Sequence, residues 1–115
     1  MRIFRLWCFL ILALWADTTF AGRLLTAYTA TWCGPCQQFE QDIAHEPDIT
    51  RGYDLEIIDA ESDLELQRQK SVHVFPTFII TEYVDDKEIE IARKIGYRQL
   101  EFREWLKKHK AKPRH

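Results

Sequence analysis

Two cysteines, Cys33 and Cys36, stand three positions apart with Gly34 and Pro35 between them. A Cys-x-x-Cys pair has two common chemistries, half of a metal site or a redox couple. A four-cysteine zinc site needs a second pair, and the only other cysteine is Cys8. His45 and His73 could in principle complete a Cys2His2 set, but their spacing repeats no finger pattern. A passive disulfide is the remaining alternative, and so small a loop adds little entropy-based stability. Redox exchange fits the residues better. An apolar run ends near Trp32 and a polar, helix-like run follows. If the helix starts near Cys33, that sulfur meets the unpaired N–H groups and the positive end of the helix dipole, which favour a thiolate. Pro35 suits the first helical turn, where its missing N–H is no loss. Gly34 lets the backbone turn and leaves the Cys33 sulfur uncovered. Cys36, one turn further in, is shielded and resolves the mixed disulfide.

An element must deliver the pair and others must back it. Leu24 to Thr31 carries β-branched and aromatic residues without strict alternation, as a buried central strand does. The spacing of Phe39 and Ile43 predicts a helix over 35–45 with one apolar stripe, ended by Pro47. Asp54 to Asp59 reads as a second strand, parallel to the first if the helix crosses over. Ser62-Asp63-Leu64-Glu65 reads as a capping box opening a short helix with Leu64, Leu66 and Val72 turned inward. Phe75 to Thr81 reads as a strand and Asp85-Asp86-Lys87 as a hairpin tip. Glu88 to Ile95 alternates, with Ile89 and Ile91 on one face and charges on the other that discourage edge pairing. A final helix over 98–109 aligns Phe102, Trp105, Leu106 and His109.

With these residues in place, the chain resembles the thioredoxin family. Trp32-Cys33-Gly34-Pro35-Cys36 is similar to its active-site motif, and this five-residue match is highly specific. Val74-Phe75-Pro76-Thr77-Phe78 resembles its second landmark, a cis-proline followed by threonine. Ile95-Gly96-Tyr97 resembles its third, a glycine loop before the last helix. The resemblance implies a minimal thioredoxin-like α/β fold, β-α-β-α-β-β-α, with about four strands in a mixed sheet flanked by helices. It implies that Cys33 is the nucleophile and Cys36 the resolving thiol, supported by Trp32, Gly34 and Pro35. Phe75, Pro76, Thr77 and Gly96 would line the substrate site, the backbone before the proline pairing with a substrate strand. Partners would be protein disulfides or thiols and a redox partner that the sequence does not name. No cofactor and no metal are expected, and a monomer is.

Three positions depart from the family. Thioredoxins proper carry a buried acid six residues before the first cysteine, implied to help deprotonate the resolving thiol; here that position is Ala27. Phe75 is bulkier than the usual aliphatic residue there. Gln37 replaces a common lysine and removes a positive charge from the rim.

The 115 residues allow one domain. Hydrophobic residues are 46% and charged residues 30%, an ordinary globular balance. The net charge of −2 argues against nucleic acid as a partner. Residues 1–21 read as a secretory signal peptide. Arg2 and Arg5 precede the apolar run Leu6 to Ala16, and Thr19 and Ala21 suit a cut after Ala21. The run is too short to span a bilayer, which takes about 20 apolar residues. Cleavage would remove Cys8 and leave residues 22–115 as the domain, with no stable membrane insertion. The expected setting is export, to the periplasm if the source is bacterial. Family potentials span roughly 150 mV, or about 7 kcal/mol. The Gly-Pro spacer, which resembles that of the family's reductants, favours a reductase of the cell envelope. The alternatives are an exported dithiol oxidase and a non-catalytic peptide-binding module that has borrowed the fold.

Overall fold

The structure is a computed structural model, described here for residues 22–111; the expected signal peptide lies outside these residues. Four strands form one mixed sheet: β1 Arg23–Thr29, β2 Tyr53–Asp59, β3 Thr77–Val84 and β4 Lys87–Ile95. Three helices flank it: α1 Gly34–His45, α2 Leu64–Lys70 and α3 Gln99–Lys108, with a 3-10 turn at Pro47–Thr50. The order is β-α-β-α-β-β-α, as the resemblance implies. Across the sheet the strands run β2-β1-β3-β4. β1 is parallel to β2 and antiparallel to β3, which is antiparallel to β4. Among the described residues, no helix is long and apolar enough to cross a membrane.

Strand β1 is central because both of its faces carry bulk. Leu25 and Ala27 turn to one face, where they join Phe39 of α1, Phe78 and Ile80 of β3, and Phe102 and Leu106 of α3 in the main core. Phe39, Phe78, Phe102 and Tyr97 pack edge-on or tilted, with centroids 4.6 to 6.2 Å apart. Such pairs add about 0.5–1.5 kcal/mol each beyond their area. The Tyr97 hydroxyl donates to Asp42 at 2.6 Å and ties the β4–α3 connection to α1. That bond, with one from Gln38, holds the Asp42 carboxyl below the ordinary carboxylate value. Burial, followed by the Asp42 carboxylate, pushes the Tyr97 hydroxyl up.

The opposite face is thinner. Tyr28, Ala60, Val72 and Ile79 form a small cluster backed by Leu66 and Phe75. Beyond it the sheet turns polar. Thr26, Tyr28, Thr81, Glu88, Glu90 and Lys70 border a cavity of about 110 Å³. A Lys70–Glu88 ion pair spans it at 3.6 Å.

Several local expectations need correction. Asp63, not Ser62, is the N-cap of α2, its carboxylate accepting from Leu66 N–H at 3.0 Å. That choice starts the helix at Leu64 and turns Leu64 outward, 69% exposed, while Val72 is buried. β3 starts at Thr77 rather than Phe75 and runs on to Val84. The alternation expected over 88–95 is broken between Ile80 and Thr81, where β4 contributes one extra residue. That bulge brings both Ile91 and Ala92 against the main core, while Ile89 stays exposed. The hairpin tip is as expected, with Asp85 and Asp86 both at positive φ. Short acidic side chains tolerate that region, and paired left-handed residues match the strand twist.

Candidate active site

β1 ends at Thr29, and a tight turn closed by Cys33 N–H donating to the Ala30 carbonyl at 3.2 Å delivers the chain to α1. Cys33 is the N-cap residue, with extended backbone, and Pro35 lies in the first turn. No residue in that turn is acidic. The Cys33 sulfur therefore stands where a capping oxygen normally sits, and it accepts from Cys36 N–H at 3.2 Å. A donor aimed at the sulfur stabilises a thiolate there. Cys33 and Cys36 are joined as a disulfide, with Cα atoms 5.2 Å apart.

The pair is more covered than its spacing suggests. Cys36 is 1% exposed, as a shielded resolving thiol requires, but Cys33 is only 3% exposed. The expectation of an uncovered Cys33 sulfur is corrected here. Its cause is Phe75, which packs on the cluster of Ala30, Cys33 and Cys36. Gly34 does open the space on its own side, since a Cβ there would meet nothing within 4 Å.

Trp32 is exposed rather than part of the core. Its ring meets Phe75 edge-on at 6.1 Å between centroids. The Phe75–Pro76 bond is cis. Pro76 is buried, and its carbonyl accepts from Gly96 N–H at 2.9 Å. Gly96 sits at φ 83°, in the left-handed region that favours glycine. Thr77 is brought to the same wall but is 1% exposed, and its hydroxyl donates to the Val74 carbonyl at 2.6 Å. Its side chain therefore braces the wall from within. Phe75 packs on the cysteine pair and meets Trp32, while Gly34 and Pro35 lie between the cysteines, and Pro76 follows Phe75 and is held by Gly96.

The remaining candidates take plainer places. Ala27 is fully buried in the main core. Gln37 donates to the Thr31 carbonyl at 2.8 Å, bracing the turn ahead of Cys33. Beside it a cleft of about 450 Å³ is lined by Thr31, Gln37, Glu40, Ile57 and Asp59. His45 bonds the Gln41 carbonyl through Nδ1 at 2.8 Å at the end of α1. His73 is exposed. Sequence reasoning missed the Thr31–Glu61 bond of 2.9 Å at the rim. It also missed Arg93, which reaches across from β4. No local pattern marks either contact, because the partners are 30 and 22 residues apart in sequence.

An α/β sheet that presents a disulfide-forming cysteine pair at a helix start defines a redox-exchange domain. The thioredoxin family model matches residues 17–108, and the chain belongs to the thioredoxin family. With its Cys33–Cys36 pair intact, it is a thiol-disulfide oxidoreductase. No curated protein matches the sequence. Solved structures match in fold. Plasmodium falciparum thioredoxin is 16% identical, with 84% of this chain and 79% of that one covered and a TM-score of 0.67. Trichomonas vaginalis thioredoxin is 19% identical, with 79% and 82% covered and a TM-score of 0.67. Fasciola hepatica thioredoxin is 22% identical, with 86% and 91% covered and a TM-score of 0.63.

Phe75 offers a direct test of the covered site. Phe75→Thr should admit water to the sulfurs and relieve the desolvation that disfavours a thiolate. The Cys33 thiol should then titrate lower, and the potential should rise by on the order of 30 mV. Thiolate absorbance against pH and redox equilibration with glutathione measure the two effects. An unchanged potential would mean that Phe75 does not control solvent at the pair.

Proposed function

We propose that this protein is an exported reductase of protein disulfides. The observation that carries the reading is the Cys33 sulfur at the N-cap of α1, accepting from Cys36 N–H and covered by Phe75. In the reduced enzyme the Cys33 thiolate attacks one sulfur of a substrate disulfide. A Cys33–substrate bond forms, and the other substrate sulfur leaves as a thiolate and takes a proton from solvent. Cys36 then loses its proton and attacks the Cys33 sulfur. The enzyme disulfide forms, and the second substrate sulfur leaves. Two electrons have passed to the substrate, and a donor dithiol must return them to Cys33–Cys36.

Two features support the reductase direction. The Gly34-Pro35 spacer resembles that of the family's reductants, and the cover over the sulfurs favours disulfide over thiolate in the enzyme. The substrate side has an apolar rim. Trp32, Val74 and Ile95, next in sequence to Cys33, Phe75 and Gly96, are 66%, 51% and 60% exposed. An extended peptide could lie along Val74 to Pro76 and meet this rim. Insulin reduction with dithiothreitol as donor tests the activity, with Cys33→Ser as the inactive comparison. The reduction potential tests the direction. A value near that of the family's strong oxidants would replace the reductase with a dithiol oxidase.

Export rests on the signal-like residues 1–21. Mass spectrometry of the exported protein should find a start near Gly22. Recovery of intact Met1 in membranes would replace export with anchoring.

A further inference from the structure

Arg93 lies on β4, opposite Ile79 of β3, on the thinner face of the sheet. Its guanidinium leaves the strand and crosses to the end of α2. Nη1 donates to the Ser71 carbonyl at 2.8 Å, and Nη2 donates to the Lys70 carbonyl at 2.7 Å. Glu90, on the same strand, accepts from Nε at 3.3 Å and from Nη2 at 2.8 Å. The guanidinium is therefore fixed on both sides, by a carboxylate behind and by two carbonyls in front. Those carbonyls belong to the last turn of a helix, where intrahelical donors run out. Ser71 itself is left-handed, at φ 54°, and ends the helix as its C-cap, with Val72 N–H donating to the Gln67 carbonyl at 2.8 Å.

The segment that begins at Ser71 ends at the redox pair. Val72, 1% exposed, packs on Tyr28, Ala60 and Ile79, and Phe75 reaches both that cluster and the sulfurs. The far end of the segment is held from the residue just past the end of β4, through Gly96 N–H on the Pro76 carbonyl at 2.9 Å. Arg93 and Gly96 are three residues apart. The edge strand and the residue that follows it thus hold the two ends of the active-site wall.

We propose that Arg93 is a positioning residue for the redox site: its grip on the Lys70 and Ser71 carbonyls sets where Phe75 stands over Cys33 and Cys36. The inference rests on the reductase reading for its substrate side. Its effect reaches the cysteines only through the wall. A wall released at Ser71 should present its backbone less well to an extended substrate and let water approach the sulfurs.

The test compares Arg93→Met and Arg93→Lys in the full chain. Lysine keeps the charge and three donors on one nitrogen, but lacks the planar fork that spreads Nε, Nη1 and Nη2 across Glu90 and the two carbonyls. Arg103→Met is the comparison. It removes an ion pair with Glu46 between α3 and the end of α1, and so perturbs stability elsewhere. Arg93→Met should raise the KM for insulin about tenfold, with kcat within about twofold, the scale of coupling through a packed network. Its glutathione equilibrium should move about threefold toward the dithiol, since water favours the thiolate. Arg93→Lys should show part of both changes, and Arg103→Met neither. Wild-type KM and glutathione equilibrium in both Arg93 variants would overturn the inference. So would equal shifts in Arg103→Met. If Arg93→Met does not fold, Arg93→Lys decides on the same two readouts. A wild-type chain that fails to reduce insulin would overturn the reductase reading instead, and the glutathione equilibrium would still judge Arg93.

Discussion

Cys36→Ser will retain protein substrate on Cys33 as a mixed disulfide, and Cys33→Ser will retain none. The two cysteines are nearly equally buried, so exposure does not distinguish them. Their place on the helix does. Cys33 is the N-cap, and its sulfur already receives the Cys36 N–H. That hydrogen bond and the helix dipole lower the energy of charge on Cys33, while Cys36 has entered the first turn and has the apolar core behind it. Attack on a substrate disulfide therefore starts at Cys33. Without Cys36 no second thiolate can attack the Cys33 sulfur, and the bond to substrate persists. Either variant should lower multiple-turnover insulin reduction by roughly a thousandfold or more, the scale of losing one member of a catalytic unit. Non-reducing electrophoresis and mass spectrometry after exposure to oxidised insulin will separate the two. Equal trapping by both variants would mean that Cys36 also attacks first, against its placement inside the helix.

The parts legible in sequence are those with a local physical cause. The Gly-Pro spacer and the polar run after Cys36 mark a helix start, and Phe39 and Ile43 mark its buried stripe. Leu24 to Thr31 reads as central because its residues are bulky on both faces. The acidic tip of the β3–β4 hairpin is legible because left-handed residues at a two-residue turn favour short side chains. The misplaced pieces depend on competition between neighbours or on distant partners. Ser62 and Asp63 can both cap α2, and the choice of Asp63 rotates Leu64 out of the core. The bulge in β4 follows from the fit of Ile91 and Ala92 over Ile80, which no period-two pattern encodes. Cover over Cys33 comes from Phe75, 42 residues away in sequence. A spacer motif alone cannot reveal it. Arg93 is invisible for the same reason.

Ala27→Asp will cost this protein much of its stability at neutral pH and much less in acid. Thioredoxins proper carry an acid at the matching position; here Ala27 is fully buried among Leu25, Phe39 and Phe78. Its strand neighbours are Ile57 and Phe78. Apolar surroundings supply no donor for a carboxylate, so burial should raise the pKa of the new group by several units, up to about 3–5. Each unit corresponds to about 1.36 kcal/mol, giving on the order of 4–7 kcal/mol against a typical total of about 5–15 kcal/mol. The sign follows from linkage. The folded-state pKa lies above the unfolded value of about 3.9, so between the two the folded chain binds more protons than the unfolded one. Stability then falls as pH rises through that window and levels off above it. Ala27→Asn, of nearly the same size, carries the packing strain without the titration. The Tm difference between the two variants should therefore be small near pH 4 and widen toward pH 8. A pH-independent difference would show that the core at position 27 admits water or a donor to the carboxylate. The same carboxyl, if it takes the proton from Cys36 as the family resemblance implies, should add an inflection to the pH dependence of mixed-disulfide release at its raised pKa. An unchanged profile in a folded Ala27→Asp variant would mean that the proton of Cys36 leaves by another route, and that this chain performs the second exchange step without the acid thioredoxins use.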